Sequence, residues 1–143
     1  MRLLISVLKI NTDLERMGDL AVNVAERALT LIQEPLPELV RHIRTITRLV
    51  EDMVRLSLES FVQKSAPLAF DLLKTDDEVD SARDRIYEEA LVMMQENPAA
   101  IPMGLGIMSI ARNLERIADH ATNVAEDVIF AVHGMDVRHH REA

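Results

Sequence analysis

Cysteine is absent from this sequence, and so is tryptophan. Without cysteine there is no disulfide framework, no thiolate metal site and no cysteine nucleophile, a composition that fits a reducing cytoplasm. Aromatic residues make up only 3% of the chain, and it holds four glycines and five prolines. So few turn-forming residues cannot punctuate many short strands. No apolar run approaches the roughly 18 residues of a membrane-spanning helix. The segment from Leu3 to Leu8 faintly resembles a signal peptide, but it lacks a small-residue cleavage site and continues into an amphipathic pattern, so it is read as helix. A basic surplus is also missing. The 16 Lys and Arg face 24 Asp and Glu, for a net charge of −8, which argues against a nucleic-acid surface and leaves cations and basic partner surfaces open.

What is present is aliphatic. Of the 143 residues 48% are hydrophobic, eight of them Met, enough for a core of branched and flexible side chains packed helix on helix. Four helices are expected. The first spans about 2–33, with Ile10, Leu14, Met17, Ala21, Val24, Ala28 and Leu31 at 3-4 spacing, and stops at the prolines Pro35 and Pro37. The second covers about 37–64. Ser65 reads as the N-cap of a third, about 67–96, which Asn97-Pro98 ends. The fourth runs from about 99 to Gly134, a natural C-terminal stop. Long helices with short links make antiparallel neighbours, so the fold class is an all-α antiparallel bundle. The first helix has nothing before it to act as a cap, which suggests a missing upstream part.

Residues 13–26, DLERMGDLAVNVAE, recur at an offset of 100 as residues 113–126, NLERIADHATNVAE, with nine of fourteen positions identical. Amphipathicity alone would reproduce the apolar positions. It would not reproduce Glu15/Glu115, Arg16/Arg116, Asp19/Asp119, Asn23/Asn123 and Glu26/Glu126. The expected organisation is the last helix of a truncated first repeat (1–34), a complete three-helix repeat (35–134) and a short tail (135–143). The lone first helix then either packs on the intact bundle as a fourth helix or is covered by a second chain, and an oligomer is expected.

The repeat carries acids. Glu15 and Asp19, four apart, fall on the helix face opposite the apolar stripe, with Glu26 and Asn23 continuing the line, and Glu115, Asp119, Asn123 and Glu126 repeat it. Asp76 and Asp80 have the same spacing on the third helix. Their midpoint, 78, and that of Glu115/Asp119, 117, average to the Asn97-Pro98 turn, so the two pairs should lie at one level of an antiparallel hairpin. Converging carboxylates suit hard cations such as Mg²⁺, Mn²⁺, Ca²⁺ or oxidised iron. Acids on helices are also commonly just solvated, and Arg16 and Arg116 can pair with Asp19 and Asp119 three residues on. Glu51-Asp52 between Arg48 and Arg55 reads as a salt-bridged face, and Asp84 and Glu88 as polar surface. No Glu-x-x-His, glycine-rich phosphate loop or nucleophile-base spacing is present, so no catalytic site and no organic cofactor are expected.

The segments 14–19 (LERMGD) and 114–119 (LERIAD) resemble the paired "LERIGD" signatures of the PhoU family, and Asp76-Asp77-Glu78-Val79-Asp80 resembles its acidic D-x-x-x-D segment. Gly134 to His139 also resembles the family's usual ending, while the "DLR" that opens its third helix survives only as Arg2. The resemblance implies two similar three-helix bundles, shortened here at the N-terminus. It implies a cytoplasmic negative regulator of phosphate uptake that contacts the ATPase of a phosphate ABC transporter and a sensor histidine kinase, reaching the membrane only through such partners. It further implies a multinuclear iron or zinc cluster, with Asp76, Asp80, Glu115 and Asp119 as one ligand set and Glu15 and Asp19 as half of another.

Overall fold

Helix α1 runs Arg2–Leu31, α2 Val40–Gln63, α3 Ala66–Leu73, α4 Asp76–Glu96 and α5 Ile101–His133, with a 3₁₀ turn at Pro98–Ala100. The computed structural model describes residues 2–33, 35 and 37–134, Arg2 by its main chain alone. The tail 135–143, with His139-His140 and most of the family-like ending, lies outside these residues. No strand occurs among the described residues, and the expected all-α bundle is what forms.

The caps follow from local chemistry. Lys64 closes α2 in the left-handed region at φ 51°, its N–H donating to Phe61 and Ser60 carbonyls. The Ser65 hydroxyl then accepts from Leu68 N–H and starts α3, as its sequence position predicts. The Asn97 side chain accepts from Ala99 N–H at 3.1 Å, and Gly134 ends α5 at φ 71° with its N–H on Phe130 O.

One expectation fails. The single helix over 67–96 is two helices, because Lys74 and Thr75 turn on Asp71 and Leu72 carbonyls and α4 begins afresh at Asp76. Its first turn holds Asp76, Asp77 and Glu78. Three adjacent acids are favourable at the positive end of a new helix and repel one another inside a continuous one.

Helix α5 is the axis of the molecule, with α1, α2, α3 and α4 all packed on it. A helix packed against four others must be apolar over most of its surface, and α5 buries Ile107, Ile110, Leu114, Val124, Val128 and Ile129 along with a run of alanines at 111, 118, 121 and 125, while Arg112, Arg116 and Asp119 stay exposed. Small residues let neighbours approach: a Cβ on Gly106 would sit 2.7 Å from Leu31 Cδ2, and one on Gly104 2.6 Å from Met94 Cγ.

Helix α1 rests almost wholly on α5 and joins the bundle as its fourth long helix. With a single neighbour it buries only a narrow stripe, Ser6, Ile10, Asp13, Met17 and Leu20. Ala21, expected inward, is exposed instead, on the edge of an apolar groove. Gly18 has nothing within 4 Å of where a Cβ would be. Gly18→Ala is therefore expected to stabilise the fold by about 1 kcal/mol through helix propensity alone, read as a higher urea midpoint at unchanged slope.

Candidate functional site

The α4–α5 hairpin brings the acids together, though not in the expected register. Arg83 meets Glu115 and Asp76 meets Thr122, and in both pairs the residue numbers sum to 198. The midpoints 78 and 117 sum to 195, so the pairs are offset by three residues, about one helical turn. The physical reason is the 3₁₀ turn at Pro98–Ala100, which moves the pivot of the hairpin from residue 97.5 to residue 99. Asp76 and Asp80 consequently flank the level of Asp119, while Glu115 lies opposite Arg83.

Arg83 is the residue that sequence spacing did not single out. Its Nη1 donates to Glu115 Oε1 at 2.6 Å and lies 3.4 Å from Asp80 Oδ1. Its Nη2 and Nε donate to Asp84 Oδ1 at 2.8 and 3.0 Å. Three carboxylates thus share one half-buried guanidinium. Hydrogen bonding to Asp84, then the charges of Glu115, Asp84 and Asp80, raise its pKa further and keep it charged. Asp76 Oδ1 accepts from the Thr122 hydroxyl at 3.3 Å.

Asp119 completes the group. Its surface is largely exposed, yet its pKa is raised, first by partial desolvation among neighbouring protein atoms and then by Glu115, Asp76 and Asp80, against a smaller opposing influence from His120. Desolvation is the larger cause, and the like charges of Glu115, Asp76 and Asp80 add to it. Among the described residues no three or more His, Asp or Glu side chains are arranged to hold a metal ion as they stand. All-oxygen donors, uncancelled negative charge and a guanidinium seated where a cation would sit nevertheless fit a hard cation in chemistry, provided Arg83 moves.

The first copy is different. Glu15, Asp19, Asn23 and Glu26 lie exposed along α1, and no described helix stands beside Glu15 and Asp19 to supply further carboxylates. Of the counterparts on α5 Asp119 is likewise exposed, but Glu115 and Asn123 are half-buried and Glu126 is buried, because α5 packs against four helices.

Other polar contacts escaped the sequence. Asp13 Oδ1 lies 2.7 Å from His120 Nδ1 and accepts from Asn123 Nδ2 at 3.3 Å, pinning α1 to α5. Lys9 reaches the buried Asp127 at 3.6 Å. Asp13 falls on the inward stripe three residues after Ile10 and four before Met17, and an acid at such a position was the available signal. His42 Nε2 pairs with Glu89 at 3.0 Å between α2 and α4. Arg55 pairs with Asp52, one part of the expected salt-bridged face, and with Glu59, while Glu51 borders the apolar groove between α1 and α2.

The PhoU domain family model matches residues 1–28 and 43–128. The phosphate-specific transport system accessory protein PhoU homolog of Pseudomonas aeruginosa is 42% identical over 97% of this chain and 58% of its own length. A homolog of the same name from Clostridium acetobutylicum is 34% identical over 96% of this chain and 63% of its own. The crystal structure of PhoU from P. aeruginosa superposes with a TM-score of 0.90 at 40% identity, covering 94% of this chain and 65% of that one. The PhoU regulatory protein of Streptococcus pneumoniae superposes at 0.86 with 28% identity, covering 95% and 64%. The chain spans about three fifths of the length of the curated relatives it matches.

Proposed function

Because the chain belongs to the PhoU family, we propose that it is a non-catalytic negative regulator of phosphate uptake and phosphate-responsive signalling. It acts as a metal-associated adaptor in the cytoplasm that contacts a phosphate ABC transporter ATPase and a sensor histidine kinase. The observation that carries this reading is whole-chain similarity to proteins named as accessories of the phosphate-specific transport system. No helix among the described residues is long and apolar enough to cross a membrane, which is in keeping with an adaptor that meets the membrane through its partners.

The metal part of the proposal rests on the α4–α5 acids. Asp76, Asp80, Glu115 and Asp119 would hold the ion, with Glu15 and Asp19 the partial counterpart, and Asn23, Asn123, Glu26 and Glu126 as outlying polar groups. Oxygen donors accept iron, zinc, Mg²⁺, Mn²⁺ or Ca²⁺. A bound cation would neutralise the cluster and tie α4 to α5 in place of Arg83.

A second reading has its own support. Leu4, Leu8, Val22 and Leu29 of α1 are exposed, and α1 and α2 wall an apolar groove of about 620 Å³ floored by Leu114 and Ile117. Such a surface suits a helical oligomerisation module that pairs with itself or with a full-length paralogue. Affinity capture decides between the two. Retention of the folded protein on purified transporter ATPase or on the kinase cytoplasmic domain is the expected result. Retention on neither, with stable association to a full-length relative, leaves only the oligomerisation module.

A further inference from the structure

The seam between α1 and α5 contains two polar pockets related by the sequence repeat. In one, Lys9 pairs with Asp127 and Asp13 with Asn123, and both sets of residue numbers sum to 136. Moving each residue by 100 turns these into Ser109 with Arg27 and Asn113 with Asn23, again summing to 136, and these four line the other pocket. Antiparallel helices carrying the same motif therefore cross about an approximate twofold axis, with one pocket on each side of it.

The twofold mates have opposite chemistry. The first, about 320 Å³, is largely closed upon itself: Lys9 pairs with Asp127, and His120 and Asn123 engage Asp13. In the second, about 400 Å³, the carboxylate of Asp13 becomes the amide of Asn113 and that of Asp127 becomes the guanidinium of Arg27. The charged residues of its lining are Arg27 and Glu26. The side chains of Asn23, Arg27, Ser109 and Asn113 make no hydrogen bond or ion pair with another described residue. An ion-paired site has been converted, on the same backbone frame, into a set of open donors grouped around one guanidinium.

We propose that this pocket binds a small phosphate group. Arg27, with five fixed N–H donors, and the two amides and the Ser109 hydroxyl supply hydrogen bonds to its oxygens. Glu26 sets the selectivity: inorganic phosphate at neutral pH, or a phosphate monoester below its second pKa of about 6, retains an O–H that can donate to a carboxylate, whereas sulfate is fully ionised and meets only repulsion. The binding does not depend on the metal reading. Its use as a direct phosphate input to regulation rests on the proposed function.

The test is titration of the purified full chain with inorganic phosphate, phenyl phosphate and sulfate at constant ionic strength and about pH 5.5, where both phosphates retain an O–H, followed by amide and side-chain NMR shifts. Saturable shifts at Asn23, Arg27, Ser109 and Asn113 are expected with phosphate, with sulfate at least about tenfold weaker, a difference of one factor of ten in Kd. Tighter binding of phenyl phosphate assigns the pocket to a phosphoryl group on a larger molecule, and tighter binding of inorganic phosphate assigns it to the free ion. Arg27→Asp, which restores the charge found at Asp127, should abolish the response, and Asn113→Asp is the second variant should the first not fold. Absence of localised shifts, an equal response to sulfate, or a phosphate response that survives in a folded variant overturns the proposal.

Discussion

Glu115→Ala/Asp119→Ala should lose divalent-cation binding by a factor of at least about 100, the upper range seen when even an outer-sphere partner of a metal site is removed. Both residues lie in the acid group of the α4–α5 hairpin, and Asp119 is not among the carboxylates that Arg83 pairs with. Arg83→Gln should move the other way. It keeps hydrogen-bonding capacity, removes the competing cation, and leaves Asp80, Asp84 and Glu115 to attract the ion. Elemental analysis of the purified proteins, with calorimetric titration of Mn²⁺ or Zn²⁺, reads both effects. Metal content unchanged by the double substitution would show that the cluster is not the site.

The same group makes a pH prediction with a defined sign. The folded-state pKa of Asp119 is raised, so its ionised form is less favourable in the fold than in the unfolded chain. That penalty is present in full above the raised folded value and disappears as pH falls below the unfolded value, near the ordinary 3.8. Cation-free Asp119→Asn should therefore melt higher than the parent protein at neutral pH and match it in acid. Added cation should reverse the order at neutral pH, because only the parent can use it.

Ile129→Ala is expected to destabilise the fold by about 2–5 kcal/mol, the range for emptying a buried isoleucine site. Ile129 is fully buried on α5, the helix against which α1, α2, α3 and α4 all pack, so the neighbours cannot close one side of the cavity without opening another. For a chain of this size each kcal/mol lowers Tm by about 2–4 °C, giving a fall on the order of 10 °C. A calorimetric Tm within about 2 °C of the parent would mean that α5 is not the common axis of packing.

The helices and their ends were legible because the signals that specify them are local. Ser65, Asn97 and Gly134 each act on backbone groups within a few residues, and each caps where its neighbours in sequence predict. The break between α3 and α4 was missed because the apolar spacing from Leu72 to Val79 runs straight through it, and the three acids that mark a new N-terminus also read as ordinary helix surface. Within the site, that Asp76 and Asp80 lie near Asp119 followed from counting back from one turn, though three residues out of register. Arg83 did not, since a three-residue change of register decides whether Glu115 faces Asp80 or an arginine.

Sequence alone determined that this protein is an all-α member of a repeat family, because a 100-residue offset with nine identities in fourteen needs no coordinates to be seen. It also determined which residues carry charge and at what helical spacing. Only the tertiary structure decided what those charges meet. Burial depends on how many neighbours a helix has, and α1 has one where α5 has four. Identical motifs therefore leave Glu26 in solvent and Glu126 buried, turn one polar pocket into a closed set of ion pairs and its twofold mate into open donors, and seat a guanidinium among acids that sequence alone would leave to a metal.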